Sequence, residues 1–259
     1  LATAVETLEA FRADPDAEMY QRVGETAEAM RSESLKRSQE ARKNLVDVRR
    51  DWNRVSIRRT PVVLVLIGLS VVMFFAASDG WRASPAGRAA LFTHPKSSEI
   101  WGSVRSGEVW RVVTPMFLHG GLIHLAFNMY WLYVFGGQIE RRQGAVRFLM
   151  LVLAVSASSN IAQAVMVSPN FGGMSGVVYG LLGYLWVRQY MNPRSGFYVS
   201  KETFGFLMIW LVLGFTGILD RFAGGGIANW AHGVGFLSGL AVGALAQGTA
   251  DSQAPPARS

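Results

Sequence analysis

Along the middle of the chain, uncharged apolar runs alternate with short charged stops, and longer polar stretches lie on either side. Pro61 to Ser78 is the first run, rich in Val, Leu and Ile, with Arg58 and Arg59 directly before it. It has the length a bilayer crossing needs, and the arginines predict a cytoplasmic N-terminal side. A second run, Val112 to Ile139, contains a helix predicted from about Leu122 and closes on Glu140-Arg141-Arg142. Phe148 to Val187 has 40 residues without a charge, too many for one crossing, and Ser168-Pro169-Asn170 breaks it near the middle. Arg188, Arg194 and Lys201 follow, then Thr203 to Leu219 forms a short fifth run stopped by Asp220 and Arg221. Beyond Gly224-Gly225-Gly226 the last run extends from about Asn229 to Gln247. The pattern predicts an all-α polytopic membrane protein of six transmembrane helices with both termini cytoplasmic. Between the first two helices, Asp79 to Gly121 is a long loop carrying Trp81, Trp101 and Trp110, and its aromatic content predicts a folded element in the membrane interface.

The flanks read differently. Residues 1–60 form a polar cytoplasmic segment whose first thirty positions carry seven acids and two bases, whereas 31–59 carry ten bases and four acids. Ala41, Leu45, Val48, Trp52 and Val55 recur at steps of four and three, which predicts an amphipathic helix leading to the membrane. A plain juxtamembrane connector is the first reading of it, and a lipid-surface or dimer-forming helix the second. The stretch beginning at Leu1 lacks the apolar character of a signal peptide, and the sequence reads as a piece of a longer protein. Residues 61–248 make the helical domain and 249–259 a polar tail.

Composition narrows the class. Half of the 259 residues are hydrophobic and only 17% are charged, too few charges for a soluble protein of this size. The formal charge of +7 is concentrated before the first apolar run and between later ones, which suits anionic lipid head groups and predicts no nucleic-acid partner. With no cysteine in the chain, a disulfide framework, a thiolate metal site and a cysteine nucleophile are all excluded. No metal or cofactor is expected, and His-Glu-x-x-His is absent.

Counting crossings from an inside N-terminus, helices two, four and six all begin on the outer face. Helix two carries His124 and Asn128 near its start, helix four opens with Ser175, and helix six opens with His232. All four polar groups therefore share one depth, and ionisable groups in membrane helices are functional hypotheses by default. A neutral imidazole can take the proton of a serine hydroxyl, so Ser175 and His232 supply nucleophile and base. His124 and Asn128, at i and i+4, can point the same way as donors to an oxyanion, beside the exposed N–H groups that open helix four. No carboxylate falls between Phe148 and Val187, which favours a dyad over a triad. Gly176 and Gly180 on helix four, with Gly235 and Gly239 on helix six, form small-xxx-small pairs that predict close backbone approach. Tyr179 lies one turn below Ser175, where support of the imidazole and ordinary burial are equally compatible with its spacing. Each polar group taken singly could instead glue helices together. His94 has no partner motif and reads as a surface residue.

Together these residues resemble the rhomboid family of intramembrane serine proteases, most closely its bacterial type. The resemblance rests on Trp110-Arg111, His119, the His-x-x-x-Asn of His124 and Asn128, the Gly-x-Ser-Gly of Gly173 to Gly176, and Ala231-His232-x-x-Gly235-x-x-x-Gly239. It covers about residues 60–248, and Leu8 to Gly24 is similar to the closing helix of a cytoplasmic domain in bacterial members. The resemblance implies a six-helix rhomboid bundle with Ser175 as nucleophile and His232 as general base. It implies an oxyanion hole of His124, Asn128 and the Ser175 N–H, and Tyr179 packed on His232. It further implies that His119 and Trp110-Arg111 anchor the first loop, and that Glu140 and Arg142 tie helix two to the cytoplasmic side. Trp210 to His232 is a few residues longer than in bacterial members, so the cap loop differs. The implied partners are transmembrane protein substrates and membrane lipids, in a bacterial inner membrane with the active site toward the outer face. A rhomboid-like pseudoenzyme that binds such clients without cutting them is the alternative. Such proteins lack the nucleophile or the base, and this chain has both. A small transporter would need mid-span charges and repeat symmetry, and the sequence has neither.

Overall fold

A computed structural model describes residues 2–15, 17, 18, 22, 28–38, 60–97, 99–218 and 226–246. The chain divides into two units, Leu1–Val55 and Ser56–Ser259. In the first unit, helix α1 (Ala2–Ala13) and a helical stretch over 28–38 expose Val5, Leu8, Phe11, Met30 and Leu35. Arg22–Glu18 and Arg37–Glu33 are exposed i,i+4 ion pairs, a geometry that adds only tenths of a kcal/mol to a helix. The amphipathic pattern from Ala41 to Val55 lies outside the described residues, as do Arg58, Arg59 and the tail.

The regular structure of the second unit is all helical, with no strand among its described residues. Its long helices are α2 (Pro61–Ala76), α3 (Leu122–Trp131), α4 (Gly137–Gln143), α5 (Ala145–Met166), α6 (Ser175–Met191), α7 (Lys201–Phe215) and α8 (Asn229–Leu245). A π-helical turn, Leu132–Gly136, joins α3 to α4. The 40-residue uncharged stretch becomes α5 and α6, parted by the segment around Ser168-Pro169-Asn170. By length and composition α5 is apolar enough to cross a membrane, and α2 is a shorter apolar helix.

Helix ends show which polar groups the bundle uses. Pro61 starts α2 without a side-chain cap at Thr60; the N–H groups of Val62 and Val63 donate instead to the two carboxylate oxygens of Glu140, at 2.8 and 2.9 Å. The charge that follows the second apolar run therefore sits, buried, on the positive end of the first helix. Arg142 stacks over the Phe197 ring at 5.7 Å. The fifth helix begins at Lys201, earlier than its uncharged run, because the Ser200 hydroxyl accepts from the Thr203 N–H at 3.1 Å. A side-chain cap of this kind tolerates Lys201 and Glu202 in the first turn.

Helix α6 is the central element, buried continuously from Gly176 to Leu185. Around it, Leu132, Phe135, Ile139, Phe148, Val152 and Val155 fill the interior. Apolar side chains also point outward: Val65, Val72 and Phe75 on α2, Met150 on α5, and Ile209 and Val212 on α7 are exposed. Helices apolar on every face belong to a protein core or a membrane. Between α6 and α8 the backbones nearly touch. A Cβ on Gly180 would lie 3.0 Å from the Gly235 carbonyl oxygen, and one on Gly239 would collide with the Gly180 carbonyl.

Candidate active site

The site is assembled where α3, α6 and α8 begin. Ser175 is the first residue of α6, so its N–H lies among the orphan donors of a helix start. His232 lies in the first turn of α8. The glycine contact between these helices brings the His232 Nε2 within 2.7 Å of the Ser175 Oγ, a short hydrogen bond. Where Nε2 is unprotonated, the serine O–H donates and Nε2 accepts. No carboxylate among the described residues is hydrogen-bonded to His232. Instead Tyr179 packs against the imidazole, ring centroids 4.8 Å apart, and its hydroxyl donates to the Leu207 carbonyl of α7 at 3.0 Å. The His232 imidazole is thus flanked by a ring that α7 holds in turn.

His124 and Asn128 are one turn apart on α3, and Asn128 is buried. One amide hydrogen of Asn128 serves the His124 carbonyl at 2.8 Å, which leaves the second for another acceptor. Gly173 brings His124 and Ser175 together. A Cβ there would lie 2.8 Å from the His124 ring carbon Cε1 and 3.6 Å from the Ser175 Oγ, and the residue has φ +132°. Both the space and the backbone conformation demand glycine. Gly176 is equally confined, its α-carbon facing the Ser159 hydroxyl and the Ala231 carbonyl.

The segment leading into Ser175 is pinned by its backbone. Gly173 N–H donates to the Pro115 carbonyl at 3.0 Å. His119 Nδ1 lies 3.1 Å from the Phe117 carbonyl, which requires Nδ1 to carry the proton, and Nε2 then accepts from the Met174 N–H at 3.5 Å. His119 is therefore a loop support one residue from Ser175. Arg111 donates to the carbonyls of Arg88, at 2.6 Å, and Leu91, at 2.8 Å, and to the Glu108 carboxylate at 2.7 Å. That bond holds the Glu108 carboxyl below its ordinary value. Trp110, in contrast, is half exposed, so within the Trp110-Arg111 pair the internal ties belong to Arg111. Gly235 and Gly239 face α6 rather than the serine.

Sequence reasoning missed three residues of α5. Gln163 Oε1 accepts from the N–H groups of Trp230, at 3.1 Å, and Ala231, at 3.3 Å, capping the helix that carries His232. Ser156 and Asn160 bind the first loop. Polar residues inside an apolar run were the available signal, and all three are nearly inaccessible. Asn229, at the start of α8, donates to the Gly214 carbonyl at the end of α7.

A bundle of helices without a strand among its described residues, with a serine and a histidine bonded across two closely packed helices, defines a narrow class. The family model for the Rhomboid domain matches residues 106–248, and the chain belongs to the rhomboid family. It is similar to proteins named "Rhomboid protease GlpG" from Salmonella choleraesuis (strain SC-B67), Salmonella newport (strain SL254) and Salmonella typhi. Each is 38% identical over 135 residues, 52% of this chain and 48% of the relative. The chain spans about half the length of the curated relatives it matches.

Proposed function

We propose that this chain is an intramembrane serine endopeptidase, hydrolysing a peptide bond in or near a transmembrane segment of a membrane-protein substrate. The observation that carries the reading is the 2.7 Å bond between Ser175 Oγ and His232 Nε2, in a chain of the rhomboid family. In this reading six helices cross a bacterial inner membrane, α3 and α4 counting as one crossing. Both termini are cytoplasmic and the site lies toward the outer face.

Attack by Ser175 Oγ on the scissile carbonyl passes the hydroxyl proton to His232 Nε2. The oxyanion so formed is met by the Ser175 N–H, the second amide hydrogen of Asn128 and an N–H of His124. Protonated His232 then gives its proton to the leaving amine, leaving an acyl-enzyme on Ser175. Water, deprotonated by His232, attacks the ester, and collapse of the second tetrahedral intermediate frees the carboxyl product and returns the proton to Ser175. The family also implies local unwinding of the substrate helix, because helical hydrogen bonds shield its carbonyls.

Cleavage of a model transmembrane substrate by the purified wild type in detergent, beside Ser175→Ala and His232→Ala, tests the reading. Product from the wild type and none from either folded variant is expected. Product from Ser175→Ala would move the nucleophile elsewhere. A wild type inert toward several substrates, in liposomes as well as detergent, would leave a client-binding protein without protease activity.

A further inference from the structure

Helix α5 carries amide and hydroxyl groups that no step of the reaction uses. Asn160 Nδ2 lies 2.9 Å from the Val112 carbonyl, 3.3 Å from the Val113 carbonyl and 3.1 Å from the Ser156 Oγ. Carbonyl oxygens only accept, so the amide nitrogen must face them. Ser156, one turn earlier, donates its hydroxyl to the same Val113 carbonyl at 3.2 Å. Both side chains are buried. Val113 is the joint between two 3-10 turns, Val109–Val112 and Thr114–Phe117. The second turn presents the Pro115 carbonyl to the Gly173 N–H and the Phe117 carbonyl to His119, which itself reaches the Met174 N–H. Gly173 and Met174 are the two residues before Ser175. On the same helix, one turn beyond Asn160, Gln163 holds the first N–H groups of the His232 helix.

We propose that Asn160, seconded by Ser156, is a positioning residue for the catalytic pair. It fixes the Thr114–Phe117 turn, and through that turn the Gly173-Met174 lead into Ser175, to the helix that caps the base. The inference rests on the proposed protease reading. Its physical basis is directional. Two carbonyls held by one amide define the rotation and the height of the turn on α5, whereas an apolar side chain of the same size would define neither. Because α5 reaches the nucleophile through Asn160 and the base through Gln163, it sets both partners of the 2.7 Å bond from one rigid frame.

The test replaces the amide by its apolar isostere, Asn160→Leu, with Ser156→Ala as a milder variant should the first fold poorly, and Asn160→Gln to restore an amide. Three readouts are taken on folded protein: kcat and KM for a transmembrane substrate, the rate at which a fluorophosphonate labels Ser175, and amide hydrogen exchange over 112–118 and 171–174. Loss of a buried donor that bridges two acceptors is expected to lower kcat and the labelling rate about tenfold with KM nearly unchanged. Exchange at 171–174 is expected to rise by a similar factor while α6 beyond Gly176 stays protected, and Asn160→Gln is expected to recover part of each loss. Unchanged exchange at 171–174 overturns the proposal. So does raised exchange with wild-type kcat and labelling, which would reduce Asn160 to a purely structural tie. A wild type that never reacts with the phosphonate removes the protease reading itself, and the exchange experiment then still decides whether Asn160 holds the lead into Ser175.

Discussion

A single methyl group on Gly235 separates packing from chemistry. A Cβ there would fall inside contact distance of the Gly176 carbonyl oxygen and lie 3.0 Å from its carbonyl carbon. Ordinary van der Waals contact is about 3.5 Å, so in Gly235→Ala helices α6 and α8 must part by on the order of 1 Å at this level. The obstacle is backbone and cannot rotate away. His232 is one turn from Gly235, and Ser175 is the neighbour of Gly176, so the separation is transmitted to the bond of 2.7 Å between them. A stretch of that size carries the pair beyond hydrogen-bond reach. Misplacing reacting groups by about 1 Å lowers turnover on the order of 10²-fold, while overpacking costs about 1–3 kcal/mol of stability. The assay is substrate cleavage at a temperature where the variant is folded, set beside thermal unfolding in the same detergent. Gly205→Ala is the control, because nothing lies within 4 Å of its added Cβ. Gly235→Ala with near wild-type kcat would refute the claim that this glycine contact sets the distance between His232 and Ser175.

Further expectations follow from the helix ends and the first loop. Glu140→Ala leaves the Val62 and Val63 N–H groups without their buried acceptor, which should cost about 1–3 kcal/mol and lower the thermal midpoint. Labelling of Ser175 at low temperature should persist, since Glu140 lies at the other end of the bundle. The Glu108 carboxyl is held down by Arg111. A carboxylate depressed in the folded state adds stability that is present above its unfolded value and lost as pH falls through the folded one. Thermal unfolding followed from about pH 6 to about pH 3 should therefore show a steeper acid loss in the wild type than in Glu108→Gln; equal slopes would deny the pair a role in fastening the loop.

The parts of this architecture legible in the sequence were those written as patterns along one segment. Apolar runs and their charged stops located the helices, and polar residues at the helix starts singled out Ser175 and His232, which meet at 2.7 Å, and His124, whose ring lies beside Gly173. Glycine pairs at i and i+4 announced the α6–α8 contact. What stayed hidden pairs a side chain with somebody else's backbone. Glu140 reaches 78 residues to Val62, and Gln163 reaches 67 to Trp230; a backbone N–H has no residue identity, so neither partner leaves a mark in the sequence. Asn160 and Ser156 stood out as polar residues in an apolar run, but their acceptors, the carbonyls of Val112 and Val113, were unreadable for the same reason. The fifth helix was placed late because charge was read as a stop, whereas the Ser200 cap turns Lys201 and Glu202 into a first turn.

Between Trp131 and Gly137 the second helix changes its winding for five residues, Leu132–Gly136. A regular helix advances about 100° per residue, and a π turn uses an extra residue to complete its circuit. The rod from Leu122 to Gln143 must serve two clients at fixed azimuths: the lead into α6, where the His124 ring meets Gly173, and the start of α2, where Glu140 docks. The wide turn acts as a phase shifter between them. Chain length in this stretch is therefore quantised. Adding or removing one residue here would rotate Glu140 away from Val62 or His124 away from Gly173, even with every contacting side chain left unaltered.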